Sequence, residues 1–143
     1  MKKTASYFIT MILILSLCVS TASAITPNSI NASLYLDSYT VMIDATGGGQ
    51  IEVYYDAAAT SIMTQIGASC VVIQEKHGST WYGVGTYYAS STSGMLAANT
   101  SYHDNTITYN GTSAYQYRAV VTIYAANANG SDSRTVTTSV VTA

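Results

Sequence analysis

The sequence predicts an all-β fold: a single antiparallel β-sandwich of about seven strands. Three observations predict it. Several segments alternate apolar and polar residues, turn-forming Gly, Asn and Asp recur about every 8–12 residues, and no segment has a long helical period. No fixed-period repeat is present either, which argues against a solenoid or a propeller.

The first two predicted strands form a hairpin. Tyr39–Ala45 and Ile51–Ala57 both alternate, and Gly47–Gly49 between them is a turn sequence. In the second strand one face is apolar and is expected to be buried. The opposite face carries polar residues and is expected to meet solvent: Glu52, Tyr54 and Asp56.

The middle of the chain is less regular. In Ala58–Gly67 the apolar residues have helical spacing, which predicts either one helical turn or a packed crossover. Ser69–Lys76 and Trp81–Tyr88 predict a second hairpin. Ala89–His103 is expected to be a loop, with Met95 and Leu96 against the core.

Three more strands complete the predicted sandwich. Asn105–Tyr109 is short, and Tyr115–Ala126 has the longest alternating pattern. Asn127–Gly130 is a turn, and Ser133–Val141 closes the domain as a Thr/Val-rich strand.

The stretch from Tyr109 to Val121 resembles the E–F corner of fibronectin type III and immunoglobulin-like sandwiches. In those folds a turn precedes a tyrosine on strand F. Either Tyr115 or Tyr117 takes that role here. The resemblance implies a fold and no particular partner.

The first 24 residues have the pattern of a secretory signal peptide. Lys2 and Lys3 precede the apolar run Tyr7–Val19, and Ala22–Ala24 supplies the small residues of a cleavage site. The expected organisation is therefore a signal peptide at 1–24 and one β-sandwich domain at 25–143. The expected location is extracellular.

Composition narrows the expected partners. Residues 25–143 hold three cations and seven anions, a formal net charge of −4. This balance argues against nucleic acid and, after signal cleavage, against a membrane surface. Cys70 is the only cysteine after residue 24 and lies in an apolar run, so it is expected to be a buried small hydrophobe.

The chain also resembles an uncharacterised family of small secreted proteins of Gram-positive bacteria, a domain of unknown function. The segments that carry this resemblance are Tyr35–Tyr39, Gly47–Gly49, Ile66–Ala68, Ile73–Lys76, Trp81, Tyr109–Thr112, Tyr117–Val121 and Gly130–Arg134. The resemblance implies secretion and the fold. It implies no activity and no site residues.

No catalytic, metal or cofactor motif is recognisable. His77 is expected at a hairpin tip and His103 beside Asp104 in a loop, and neither has a partner at metal-ligand spacing. The oxygen-rich segment Asn127–Asp132 carries one carboxylate, whereas calcium sites prefer several. We therefore expect no cofactor and no metal, and we interpret these segments as loops and a turn.

Tyrosine is the residue type with the clearest functional potential. The alternating pattern places Tyr39, Tyr55, Tyr115 and Tyr117 on faces expected to be core. Exposed aromatic rings suit sugar stacking or protein contact, although cross-strand packing is an alternative role. The candidate binding residues are Tyr54, Trp81, Tyr82, Tyr88 and Tyr124.

These observations predict a secreted, non-enzymatic β-sandwich that binds or self-associates at the cell exterior. The expected partners are a cell-surface carbohydrate or protein, or a second copy that pairs through an edge strand. Ser133–Val141 is the expected edge, because it carries no lysine to prevent pairing. The alternative is a small secreted hydrolase or toxin-like effector, which would need His77 or His103 beside carboxylates in a cleft.

Overall fold

The computed structural model describes residues 33–143. These residues form two antiparallel β-sheets packed face to face and contain no helix, which confirms the predicted fold class. The predicted signal peptide lies outside the described residues, as do residues 25–32. The described part of the chain has no helix that could cross a membrane.

Seven long strands and two very short ones make up the sandwich. They are β1 Leu36–Gly47, β2 Gln50–Met63, β3 Gln65–His77, β4 Thr80–Tyr88, β5 Leu96–Ala97, β6 Thr100–Asn110, β7 Gln116–Asn127, β8 Gly130–Thr137 and β9 Val141–Thr142.

The strand order is of the immunoglobulin type. One sheet has the order β1-β2-β6, and the other has β4-β3-β7-β8, with β5 on β3 and β9 on β7. With the long strands lettered A, B, C, C′, E, F and G, the sheets are A-B-E and G-F-C-C′. All pairings are antiparallel.

The core lies between the two sheets and is built from alternate residues of the central strands. β2 and β7 show regular alternation of buried and half-buried positions. This period of two is what the sequence predicts for strands with one covered face. The largest fully buried side chains are Tyr55, Tyr117, Leu36, Ile51, Met63, Ile66, Ile73, Met95 and Ile123.

The region 58–67 contains no helical turn. β2 continues to Met63, and the chain then passes at Thr64 into β3 of the other sheet. The crossover interpretation was therefore correct and the helical one wrong. Met63 and Ile66 are buried while Ile62 is 69% exposed, which is strand alternation followed by a change of sheet.

The region 89–103 is only partly a loop. β6 begins at Thr100, because Tyr102 and His103 extend the ladder with β2. β5 forms a two-residue pairing with β3 inside the expected loop. Met95 is fully buried as predicted, and Leu96 is half-buried.

A β-bulge changes the environment of Cys70. The register of β3 against β7 shifts between Ala68 and Cys70, so that Ser69 is an extra residue. Cys70 then lies half-buried on the outer face of the sheet, and the prediction of a buried cysteine was wrong. Its partial burial still raises the pKa of its thiol.

β7 contains the tyrosine of the E–F corner, and it is Tyr117. The Tyr117 hydroxyl accepts a hydrogen bond from the Thr112 backbone N–H at 2.7 Å and donates one to Glu75 Oε2. Tyr117 is fully buried. Tyr115 was expected in the core but is 41% exposed, because it precedes β7 at the end of the sandwich, where the other sheet no longer covers it.

Candidate functional site

Two sheet surfaces and one end of the sandwich contain the candidate residues. The tryptophan face is the outer surface of the β4-β3-β7-β8 sheet. The acidic face is the outer surface of the β1-β2-β6 sheet. The Glu75 end is the end of the sandwich at which β3 finishes and β7 begins.

Trp81 is the centre of the tryptophan face. It stands opposite Lys76 in the β3–β4 ladder, and the Lys76 ammonium lies 5.8 Å from the indole centroid. The Arg118 guanidinium, on β7, lies 4.4 Å from the same ring. Arg118 Nε also donates to Gln74 Oε1 at 2.7 Å, which fixes the guanidinium. Two cations therefore stabilise one half-buried indole through cation–π attraction.

Tyr88 and Tyr124 share this face but lie far from Trp81. Tyr88 pairs with Cys70, which is six positions from Lys76 along β3. At about 3.3 Å per residue the separation is about 20 Å. Tyr88 is 54% exposed, and Tyr124 is half-buried. Three of the five predicted binding residues thus occupy one face without forming a single cluster.

The other two predicted residues lie elsewhere. Tyr82 is 53% exposed at the Glu75 end, with its ring edge-on to His77 at a centroid distance of 5.4 Å. Tyr54 lies half-buried on the acidic face. The structure therefore divides the predicted set among three surfaces.

The Glu75 end contains the one buried charged side chain among residues 33–143. Glu75 is 9% exposed, accepts the Tyr117 hydroxyl, and lies 2.7 Å from His77 Nε2. Burial, and then the hydrogen bond to Glu75, raises the pKa of Tyr117. The His77 side chain is 49% exposed and lines an open concavity of about 300 Å³ with Tyr82. His77 is exposed at the tip of the β3–β4 hairpin, as predicted, and it is also a partner of Glu75.

The acidic face carries four carboxylates that are paired with one another across strands. Asp44 stands opposite Glu52 in the β1–β2 ladder, and Asp56 stands opposite Asp104 in the β2–β6 ladder. Like charges in directly opposite positions repel and destabilise a sheet. Every Lys and Arg of the described chain lies on β3, β7 or β8, in the other sheet.

Tyr54 lies among the carboxylates of the acidic face. Its hydroxyl lies 3.3 Å from Asp56 Oδ2. A hydrogen bond with Tyr102 raises the pKa of Tyr54 most, followed by burial and the charges of Asp56 and Asp104. A concavity of about 350 Å³ beside this ring is lined by Met42, Ile43, Asp44, Glu52, Tyr54 and Thr106.

His103 and Asp104 do not form a site. They lie on opposite faces of β6, His103 half-buried and Asp104 exposed. His103 Nε2 is 2.7 Å from the Gly94 carbonyl, so the ring closes the loop before β5. Within residues 33–143, no group of three or more His, Cys, Asp or Glu side chains could hold a metal ion.

The segment Asn127–Asp132 comprises the turn between β7 and β8 and the start of β8, and its polar side chains bond to neighbouring residues. Asn127 Oδ1 accepts the Asn129 backbone N–H at 2.8 Å. Asp132 accepts the Ser33 hydroxyl and forms an ion pair with Arg134 at 2.8 Å. These contacts, the Ser33 hydrogen bond first, lower the pKa of Asp132.

Sequence reasoning missed the partners of Trp81 and the role of Glu75. Gln74 and Lys76 are two residues apart on β3, so the period of two indicates that their side chains lie on the same face of the sheet. The approach of Arg118 depends on the β3–β7 pairing, for which no local pattern exists. Val71, Ile73 and Glu75 follow one another at intervals of two residues in β3. The period of two therefore indicates that Glu75 lies on the same, core-facing side as the two apolar residues.

Comparisons with family models, with curated proteins and with solved structures returned no match. The resemblance to a secreted Gram-positive family therefore stays a prediction.

Proposed function

We propose that this chain is a secreted, non-enzymatic β-sandwich that acts at the cell exterior by binding or by self-association. The observation that carries the proposal is the tryptophan face, where Lys76 and Arg118 hold Trp81 on an open sheet. The proposed location rests on the signal-peptide pattern at residues 1–24.

An indole ring that is held in place by two neighbouring cations is suited to binding a carbohydrate or a protein partner. Aromatic rings stack on apolar faces of sugars and supply large contact areas to proteins. Trp and Arg are also the residue types that most often dominate binding energy at protein interfaces. Because Arg118 is already held by Gln74, little side-chain ordering is required on binding.

The test uses the fact that Trp81 is the only tryptophan in the chain. Indole fluorescence therefore reports on this face alone. We expect a change of Trp81 emission on titration with peptidoglycan fragments, common polysaccharides or host-cell surface preparations. Trp81→Ala should weaken capture on the same ligands at least tenfold, whereas Tyr102→Ala on the opposite face should not. No change with any of these ligands, together with a strict monomer at high concentration, would overturn the proposal.

Self-association through an edge strand is the second way in which the module could act. β8 is an edge of its sheet, and Thr137 is exposed near its end. Lysine on an edge strand opposes pairing with another chain, because the charge would be desolvated. Pairing through β8 requires that Thr137→Lys weaken concentration-dependent assembly in light scattering while leaving the unfolding midpoint unchanged. Assembly that is insensitive to this substitution would exclude β8 as the contact.

A second candidate function, a small secreted hydrolase or toxin-like effector, is favoured by one arrangement. A carboxylate that bonds a histidine ring can orient it as a general base, and Glu75 bonds His77 Nε2 beside an open concavity. Hydrolysis of glycoside, ester or peptide substrates that His77→Ala abolishes would establish it. Equal rates for the two proteins would exclude it.

A further inference from the structure

The outer faces of the two sheets differ in charge. The acidic face carries Asp44, Glu52, Asp56 and Asp104 without a cation of the described chain. The tryptophan face carries Lys76 and Arg118 beside Trp81. Arg134, the third cation, is in an ion pair with Asp132 at the β8 edge. The described chain therefore has a negative and a positive face on opposite sides of one sandwich.

The acidic face also has an apolar centre that a flat ring could cover. Met42 is 54% exposed and Tyr102 is 50% exposed, while Tyr54 is half-buried between them. The concavity of about 350 Å³ is lined by Met42 and Tyr54 and also by Asp44 and Glu52. An occupant with an aromatic ring and adjacent cations would match both the apolar and the charged parts.

We propose that the acidic face is a docking surface for a second copy of this chain, which presents its tryptophan face to it. In this contact Trp81 covers Met42 and Tyr54, and Lys76 and Arg118 meet the opposed carboxylates. The inference rests on the self-association part of the proposed function and replaces edge pairing as its contact. The occupant is a second copy because the described chain itself carries the complementary face.

Such a contact is heterologous, because it joins two different surfaces of identical chains. Each bound copy still offers one free acidic face and one free tryptophan face. Since the two faces lie on opposite sides of the sandwich, copies add in a line and do not close into a dimer. The expected products are short open stacks whose length grows with protein concentration.

The area available indicates a weak contact. Three strands spaced about 4.8 Å apart, with about 12 residues each at about 3.3 Å, present a face of about 600 Å². A standard stable interface buries about 800 Å² on each partner. Association should therefore be visible at high protein concentration, and it should weaken strongly with salt because opposite charges drive it.

The test is a charge swap measured by sedimentation velocity on the purified protein. One variant neutralises the acidic face with Glu52→Lys and Asp104→Lys, since Asp44 and Asp56 remain. The other reverses the tryptophan face with Lys76→Glu and Arg118→Glu. Neither variant alone can bring two faces of opposite sign together, so we expect its association constant to fall at least tenfold. An equimolar mixture should recover one-to-one association, because the unchanged tryptophan face of the first variant then meets the unchanged acidic face of the second.

The controls separate this inference from its alternatives. Ser79→Lys with Asn129→Lys changes the net charge by the same amount as Glu52→Lys alone, but in turns away from both faces, and should leave association near the wild-type level. Thr137→Lys should not weaken stacking, whereas it should abolish pairing at the β8 edge. The milder variant Glu52→Gln should weaken association several-fold. It replaces the two charge-swap variants if their near-ultraviolet circular dichroism shows that they do not fold.

Three results would overturn the inference: no recovery in the mixture, association that is insensitive to both Glu52→Gln and salt, or loss of association in Thr137→Lys alone. Of these, the last would leave the proposed function standing with the edge as its contact. Ligand capture by Trp81 in a protein that never self-associates would also leave the proposed function standing. A strict monomer that captures no ligand would contradict both the inference and the proposed function.

Discussion

The two ends of the sandwich are closed by the same residue types but with different chemistry. At the Glu75 end, Tyr117 bonds the Thr112 backbone and the Glu75 carboxylate, and His77 bonds the same carboxylate. At the opposite end, which we name the Met95 end, Tyr55 donates to the Met95 carbonyl at 3.0 Å and His103 lies against the Gly94 carbonyl. One end is organised around a buried charge and the other around backbone carbonyls.

The difference shows which end tolerates a lost contact. At the Met95 end the Met95 carbonyl also accepts the Ala68 N–H at 3.0 Å, so a second bond remains when the tyrosine hydroxyl is removed. At the Glu75 end the Tyr117 hydroxyl is the partner of both the Thr112 N–H and Glu75 Oε2, while His77 contacts the other carboxylate oxygen, Oε1. An unpaired buried donor or acceptor costs more than a hydrogen bond returns when it forms.

The largest expected effect comes from the backbone at each end. Gly67, at the Met95 end, has a φ of 141°, and a Cβ there would lie 2.3 Å from the Met95 carbonyl oxygen. Backbone strain and overpacking together predict a loss of about 3–5 kcal/mol for Gly67→Ala. At the Glu75 end a Cβ on Gly111 would meet the Tyr117 hydroxyl at 2.7 Å, so overpacking alone predicts about 1–3 kcal/mol. Urea unfolding measures both.

Gly83→Ala is the matched control for these two substitutions. Its Cβ would meet only Val72 Cγ1, at 3.6 Å, which is ordinary contact. Its free energy of unfolding should change by less than about 0.5 kcal/mol. Equal losses at Gly67 and Gly111 would contradict the proposed difference between the ends.

The next largest effect separates the two buried tyrosines. Tyr117→Phe should lower the free energy of unfolding by about 2 kcal/mol, because it removes the partner of both the Thr112 N–H and the buried Glu75 Oε2. Tyr55→Phe should cost about 1 kcal/mol, because the Met95 carbonyl keeps the Ala68 N–H. Tyr115→Phe, at an exposed ring two residues away from Tyr117, is the control and should be near neutral. A larger loss in Tyr55→Phe than in Tyr117→Phe would reverse the assignment.

Alkaline pH gives a smaller effect that again distinguishes the ends. Burial raises the pKa of both Tyr55 and Tyr117 from the usual 10.0; a hydrogen bond to Glu75 raises that of Tyr117 further, while one from Asn105 lowers that of Tyr55. The folded state thus keeps protons that the unfolded state releases. The stabilising contribution is present below pH 10 and is lost as the pH rises above it.

Urea midpoints measured at several pH values between about 8 and 11 check this dependence. The wild-type protein should lose stability above about pH 10. The loss should be shallower than in the wild-type protein in both Tyr117→Phe and Tyr55→Phe, because each substitution removes one tyrosine whose pKa is raised. A wild-type slope in Tyr117→Phe would show that the environment of Tyr117 contributes nothing to this dependence.

The smallest effect concerns the two histidines. His77→Ala removes the contact of a half-exposed histidine with Glu75, and should change the free energy of unfolding by less than about 0.5 kcal/mol. His103→Ala removes a half-buried ring bonded to the Gly94 carbonyl and should cost about 1 kcal/mol. Thermal denaturation at pH 7 ranks the two variants. A more destabilising His77→Ala would mean that the histidine is required to keep Glu75 buried.

The two tyrosines near the start of β7 show what alternation can predict. The period of two correctly placed Tyr115 and Tyr117 on one side of the chain, since it depends only on local backbone geometry. Tyr117 is buried and Tyr115 is 41% exposed, because the other sheet covers the first and ends before the second. The extent of that cover depends on the lengths and register of distant strands.

The candidate surfaces show the same distinction between what a local sequence pattern predicts and what the pairing of distant strands decides. The sequence by itself determined the sandwich, most of the strand segments and the aromatic residues from which a binding surface was chosen, because period and turn chemistry are local properties. Only the tertiary structure decided that Arg118 reaches Trp81, that Ser69 forms a bulge which turns Cys70 outward, and that the four carboxylates share one face. These facts depend on strand pairing between segments far apart in the chain, and pairing is selected by burial of the whole core rather than by any one segment.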